Sequence, residues 1–296
     1  MVKASIIGLG AMGQGMARNI LSAGIALTGF DLYAPARASF AEAGGIPAES
    51  AAEAAAGQDL ALVMVATADQ AEAALFDNGA ADALAPGAVV VLSSTVAPES
   101  ARMIAARLVE MGHMMLDAPV SGGQVGADAG TLTVMASGPD AAFERAAPLL
   151  EAVSKTVYRL GAEPGLGATY KVVHQLAAGV HLVAAAELMA LGVKAGCDAQ
   201  TLYQIVSGAA GNSWMFGDRA PRMMQAEPEV TSTIDIFRKD VGLVLETGQA
   251  AGVDLPMTEA AFAVLEQAGA MGLGRNDDSA VVRVYEKQTG KPVHDK

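Results

Sequence analysis

An α/β half followed by an all-helical half is the fold class that this 296-residue sequence predicts. Three observations carry it. Short apolar runs alternate with helical stretches up to about residue 162. A glycine turn, Gly8-Leu9-Gly10-Ala11-Met12-Gly13, joins the first run to the first helix. Beyond about residue 162 apolar residues recur only at helical spacing.

Ala4-Ser5-Ile6-Ile7 reads as the first strand, and Met12, Met16 and Ile20 follow the glycines on one helical face. A second run, Ile25 to Phe30, ends in Asp31. Leu60 to Val65, Ala88 to Leu92, Met114 to Asp117 and Thr131 to Ala136 are further buried-strand runs, with helices expected at Ala71 to Leu75 and Pro98 to Met111. This alternation predicts a mostly parallel sheet with helices on both faces. A helix from about Thr169 to Ala195 follows, far longer than the globular average. Further helices are expected near 199–207, 215–224, 233–250, 256–271 and 278–287, the last capped by Asp278 and Ser279. The expected domains are 1–162 and 163–296, meeting near Glu163-Pro164-Gly165 and joined by the long helix. Small residues in that helix (Ala177, Ala178, Gly179, Ala184, Ala185, Ala186) suit close packing, including against another subunit.

Composition narrows the function. Hydrophobic residues make up 52% and charged residues 17%, a globular profile whose length suits two domains. A net charge of −13, with no basic run longer than Arg238-Lys239, argues against nucleic acid and anionic membrane surfaces as partners. The single cysteine, Cys197, excludes an intrachain disulfide and fits a reducing cytoplasm. Its setting, Ala195-Gly196-Cys197-Asp198, reads as a packed helix end rather than a nucleophile. Glycines and Arg18 interrupt the only N-terminal stretch that could act as a signal peptide. Val172 to Val193 is long enough to span a bilayer, but His174, Gln175, His181 and Glu187 would be expensive in lipid, which favours a buried helix.

The glycine turn has the context of a Rossmann-type dinucleotide site. Gly8 permits the tight turn, Gly10 lets backbone approach a pyrophosphate, and Gly13 lets helix and strand pack closely. The helix N-terminus offers N–H groups to the phosphates. Asp31 at the end of the second strand can accept hydrogen bonds from the adenosine ribose, and its charge would repel the extra phosphate of NADP, so NAD is the expected cofactor. Arg37 is the one nearby cation and sits too far along to be an obvious phosphate ligand.

Two segments could supply chemistry. Asp117-Ala118-Pro119-Val120-Ser121-Gly122-Gly123 lies just past a strand end, where Ser121 offers a hydroxyl and Gly122-Gly123 can aim N–H groups at a carboxylate; an ordinary glycine loop reads the same way. Gly165 to Gln175 opens the long helix, with Lys171 and Gln175 on one face and His174 to the side. In an apolar setting Lys171 would have a lowered pKa and could move a proton; the alternative is a lysine reaching to solvent. His174 and His181 are roughly 10 Å apart along a helix, so no metal site is expected of them. Ser121 lies outside a Gly-x-Ser-x-Gly elbow, which speaks against a serine hydrolase.

Together these motifs, with Phe237-Arg238-Lys239-Asp240, resemble the β-hydroxyacid dehydrogenase family, which includes 3-hydroxyisobutyrate dehydrogenase and tartronate semialdehyde reductase. The resemblance covers essentially the whole chain. It implies that Lys171 is the catalytic acid/base, that Ser121, Gly122 and Gly123 hold the substrate carboxylate, and that Lys239 reaches the cleft from the helical domain. Gly8, Leu9, Gly10, Ala11, Met12, Gly13, Asp31, Val65, Thr95 and Lys239 would contact the cofactor, Thr95 on the nicotinamide side. The family usually has asparagine four residues after the lysine, where this chain has Gln175 preceded by His174. With Gly179-Val180-His181 and Gly211-Asn212-Ser213-Trp214-Met215-Phe216, these resemble the L-threonate dehydrogenase branch, which oxidises four-carbon sugar acids at C2. The implied activity is NAD-dependent oxidation of a short hydroxy acid, with His174 and Gln175 binding extra substrate hydroxyls. Alternatives are a 3-hydroxyisobutyrate dehydrogenase, a tartronate or succinic semialdehyde reductase and, more distantly, a non-catalytic dinucleotide-binding module. A cytoplasmic homodimer or homotetramer is expected.

Overall fold

The structure, a computed structural model, describes residues 3–294. Six parallel strands form the main sheet: β1 (Ala4–Ile7), β2 (Leu27–Phe30), β3 (Ile46–Pro47), β4 (Leu60–Val63), β5 (Val89–Leu92) and β6 (Met114–Asp117). Their order is β3-β2-β1-β4-β5-β6. Strand β1 pairs with β2 on one side and β4 on the other, so the order reverses between β1 and β4 and a crevice opens at the strands' carboxyl ends. Helices α1 (Ala11–Ser22), α2 (Ala34–Glu42), α3 (Ala51–Ala55), α4 (Ala68–Glu72), α5 (Ala80–Ala83) and α6 (Pro98–Glu110) connect these strands. Side chains alternate between two apolar layers. Ile6 joins Met16, Ile20, Leu62 and Leu149 on one face, while Ile7 joins Val63, Val90, Ile104 and Leu108 on the other.

A second sheet of β7 (Val120–Ser121), β8 (Leu132–Ala136) and β9 (Ser154–Arg159) lies beyond β6, in the order β7-β8-β9. The run Thr131 to Ala136 is therefore a strand outside the main sheet. Helices α7 (Gly123–Ala129) and α8 (Asp140–Val153) flank it. Asp117 and Ser137 exchange backbone hydrogen bonds of 3.0 and 2.9 Å, forming a bridge at which one sheet hands over to the other.

Helix α9 (Leu166–Ala195) runs for 30 residues. By compactness the chain divides into Met1–Lys171 and Val172–Lys296, so the division falls inside α9. The second unit is helical: α10 (Ala199–Ser207), α11 (Trp214–Met223), α12 (Ile234–Ala251), α13 (Pro256–Ala270) and α14 (Val282–Thr289). Leu182, Ala186 and Met189 of α9 pack with Phe216, Phe237, Val241, Leu265 and Val281. The length and mean hydropathy of α9 would let it cross a membrane, yet here it forms the core of this unit.

Three local expectations change. Thr67 caps α4 by accepting from the Gln70 N–H, so that helix starts at Ala68, and a π-turn carries Ala73–Asp77. Asp277 rather than Asp278 is the cap near the C-terminus, accepting from the Ser279 N–H at 3.1 Å; Asp278 is buried and bound by Arg219 instead. Cys197 is exposed in the turn between α9 and α10, so it does not pack.

Candidate active site

The glycine turn sits at the carboxyl edge of the sheet, beside the switch between β1 and β4. Gly8 has a φ of +99°, and a Cβ there would lie 2.7 Å from the Met64 carbonyl carbon. A Cβ on Gly13 would enter the Gly8 carbonyl, so that glycine is what lets α1 rest on the turn. Gly10 differs: it is exposed and caps α1, and a Cβ on it would meet nothing within 4 Å. Its bare backbone and the first-turn N–H groups of α1 form an open surface that fits a pyrophosphate. Asp31, just past β2, accepts from the Leu9 N–H at 2.7 Å and the Tyr33 N–H at 2.8 Å, which fixes the carboxylate against the turn. Arg37 donates to the Asp31 carbonyl at 2.8 Å and pairs with Glu49 at 3.0 Å. Val65 and Thr95 follow β4 and β5 at the same edge, and the Val65 N–H donates to Ser94 at 3.1 Å. The residues fit an NAD: open glycine backbone, an anchored acid at the ribose position, and a cation already engaged.

Ser121 ends β7, and Gly122 (φ +130°) and Gly123 (φ +60°) begin α7 in a conformation that favours glycine. The first N–H groups of α7 lack acceptors within the helix and suit a carboxylate. Helix α7 is held against α1. Asn19 of α1 donates to the Ala127 carbonyl at 2.8 Å, and a Cβ on Gly15 would lie 2.6 Å from the Asp128 carboxylate. The two glycine loops are thus tied together through their helices.

Lys171 is 7% exposed in the second turn of α9. The start of this helix is capped from far away in sequence. Asp117 accepts from the N–H groups of Gly165 and Ala168, both at 2.8 Å, and Ser137 accepts from the Gly167 N–H at 3.0 Å. A Cβ on Gly167 would lie 2.5 Å from the Met135 carbonyl, so the helix start is pressed against the strand ends. Burial pushes the Asp117 carboxyl up to about 6, against the pull of these donors. Its Oδ1 has no hydrogen-bond partner among the described residues.

In the second unit three predicted residues meet around one that was not predicted. The buried Asp240 accepts from the Gln175 amide at 2.6 Å and pairs with Lys239 at 2.8 Å. With its nitrogen committed to Asp240, Gln175 turns its oxygen to His174 Nδ1 at 3.0 Å. That oxygen can only accept, so Nδ1 is the donor of this hydrogen bond. Gly179 allows this arrangement, since a Cβ on it would strike Val241, the neighbour of Asp240 on α12. Asp117, Ser137 and Asp240 carry no sequence signal of these roles, because Gly165, Ala168, Gly167 and Gln175, which they accept from, lie at least 30 residues away from them.

Comparison with known proteins agrees with this architecture. The family model described as the NAD-binding domain of 6-phosphogluconate dehydrogenase matches residues 3–161. That described as the NAD-binding domain of NADP-dependent 3-hydroxyisobutyrate dehydrogenase matches residues 165–285. L-threonate dehydrogenase of Cupriavidus necator is 45% identical, covering 95% of both chains. 2-Hydroxy-3-oxopropionate reductase of Escherichia coli is 32% identical, covering 96% of this chain and 97% of its own. The crystal structure titled 3-hydroxyisobutyrate dehydrogenase from Salmonella typhimurium superposes with a TM-score of 0.92 at 44% identity, covering 96% of this chain and all of the other. With a cofactor cradle that fits NAD and a match along nearly its full length, the chain belongs to the 3-hydroxyisobutyrate dehydrogenase-like family of NAD-binding hydroxyacid dehydrogenases.

Proposed function

We propose that the protein oxidises a four-carbon sugar acid, L-threonate, at C2, using NAD. The observation that carries the reading is the placement of buried Lys171: its helix is anchored by Asp117, the last residue of β6, at the sheet edge that also bears the glycine turn. The 45% identity to an L-threonate dehydrogenase supports the substrate. NAD, held by Gly8, Leu9, Gly10, Ala11, Met12, Gly13 and Asp31 with Val65 and Thr95 beside it, supplies the hydride acceptor. Ser121, Gly122 and Gly123 bind the substrate carboxylate. Lys171 takes the C2 hydroxyl proton on its Nζ. Lys239 offers a further cation to the cofactor side, its charge balanced by Asp240. His174 and Gln175 recognise the hydroxyls that set a sugar acid apart from 3-hydroxyisobutyrate, with Gln175 held in one amide orientation.

Replacing Lys171 with Ala is expected to reduce kcat by roughly 10²- to 10⁴-fold while NAD still binds, the range of a lost general base. Near-wild-type turnover in that variant would remove Lys171 from the mechanism. An NAD-reduction screen over L-threonate, D-erythronate, D-glycerate and 3-hydroxyisobutyrate checks the substrate; faster turnover of 3-hydroxyisobutyrate would favour the alternative dehydrogenase. The protein is assigned to the cytoplasm as a homodimer or homotetramer. Exposed Tyr170, Val173 and Leu191 along α9 support self-association, which light scattering measures.

A further inference from the structure

We propose that Glu49 is a specificity-determining residue for the cofactor: it engages Arg37, the cation beside Asp31, and so withholds that cation from the 2′-phosphate of NADP. The inference rests on the reading of Asp31 as the residue that meets the adenosine ribose.

NADP differs from NAD by one phosphate on that ribose, and a site that accepts it meets the added charge with a cation. Between Arg18 and Arg102 the sequence holds a single lysine or arginine, Arg37. It stands six residues past Asp31, yet the first turn of α2 brings it back: its Nη1 donates to the Asp31 carbonyl at 2.8 Å. The guanidinium carbon lies 6.0 Å from the centre of the Phe30 ring, so the group rests against the end of β2. Helix α2 is itself tied to the glycine turn, because Gln14 of α1 donates to the Ala36 carbonyl at 2.7 Å. The charge of Arg37 therefore stands beside the residue proposed to meet the ribose.

Glu49 takes up that charge. Its carboxylate pairs with Nη2 at 3.0 Å, while Nη1 stays on the main chain. The backbone that carries Glu49 is fixed from both sides of a helix start. Ser50 caps α3 by accepting from the Glu53 N–H at 3.0 Å, and Glu53 reaches back to the Glu49 N–H at 2.7 Å. The Glu49 side chain is 81% exposed, and an ion pair so open to water adds little to stability. Its consequence falls on the ligand instead. Asp31 and Glu49 are two negative charges about one positive charge, so this edge repels a phosphate and leaves uncharged ribose hydroxyls unaffected.

The test measures binding of NAD and of NADP to the full-length protein by titration calorimetry, without substrate and at low salt. It compares wild type with Glu49→Gln, the double variant Arg37→Met/Glu49→Gln, and Asp31→Asn. Glu49→Gln keeps the shape and removes the charge. Its Kd for NADP is expected to fall by roughly three- to tenfold while that for NAD stays within about twofold, and most of the gain should vanish near 1 M salt. In the double variant the gain should disappear, because the released guanidinium is what binds the phosphate. An unchanged Kd for NADP in Glu49→Gln overturns the proposal. So does a gain that survives in the double variant, since Arg37 would then not be the group released. If Arg37→Met does not fold, Arg37→Gln is judged by the same comparison. Asp31→Asn separates the two readings. If it moves the affinity for neither cofactor, the ribose assignment fails and this inference falls with it. If it tightens NADP and Glu49→Gln does not, the ribose assignment stands and only the present inference is lost.

Discussion

Asp31 does two jobs with one carboxylate. It is tied to the Leu9 and Tyr33 N–H groups, and in that pose it is the group proposed to meet the ribose of the cofactor. Asp31→Ala is therefore expected to raise KM for NAD about tenfold, the effect of one lost charge-assisted hydrogen bond plus a loosened turn. It should also narrow the preference for NAD over NADP, which steady-state kinetics with both cofactors measures. A preference left intact would mean that selectivity resides elsewhere. The glycine turn and Asp31 were legible in the sequence because a strand, three glycines and an acid form one local pattern. Asp117, Ser137 and Asp240 were not. Their work depends on partners brought close only by the finished fold: Asp240 reaches Gln175 across 65 residues.

At the scale of elements, the alternation of apolar runs made β1, β2, β4, β5 and β6 readable, since fully buried strands are apolar on both faces. The second sheet was harder. Strand β9 carries Lys155 and Arg159 and is only half buried, so its pattern is diluted, and β7 has two residues. The start of α9 is the element junction with the clearest thermodynamic signature. Asp117 ordinarily loses its proton near 3.8, and burial raises this to about 6 in the folded protein. The native state then holds the proton more tightly than the unfolded one. Stability from this group is complete below about pH 4 and is lost as pH rises toward 6, by about 3 kcal/mol at most. Asp117→Asn removes that dependence. Its stability relative to wild type, measured by urea unfolding, should rise between pH 4 and pH 7. An equal difference at both pH values would show that the carboxyl titrates normally.

At the scale of the whole molecule, α9 belongs to both compact units, whose division falls at Lys171 rather than at a linker. The sequence suggested a boundary near residues 163–165, where strand-like runs cease, because composition changes there. Ala168 lies beyond that point and is 1% exposed in the core formed by Ile7, Val63, Leu92 and Met115. A chain cut after residue 162 would lack Ala168 and the three N–H groups that Asp117 and Ser137 receive. It should melt lower and less cooperatively than one cut after Ala195, as calorimetry would register; equal melting would mean that the first turns of α9 add nothing to the α/β unit.

The bridge between Asp117 and Ser137 gives this dependence a direction in time. Its acceptors are synthesised first, and they wait for donors that lie 30 to 51 residues later. While the ribosome extends the chain from Ser137 to Ala168, the carboxylate stands at the edge of an unfinished sheet. Ala168 can join the core of the α/β unit only once the start of α9 has been made, and α9 carries the lysine proposed to do the chemistry. The segment that completes this core and the side chain proposed to react therefore enter the protein together.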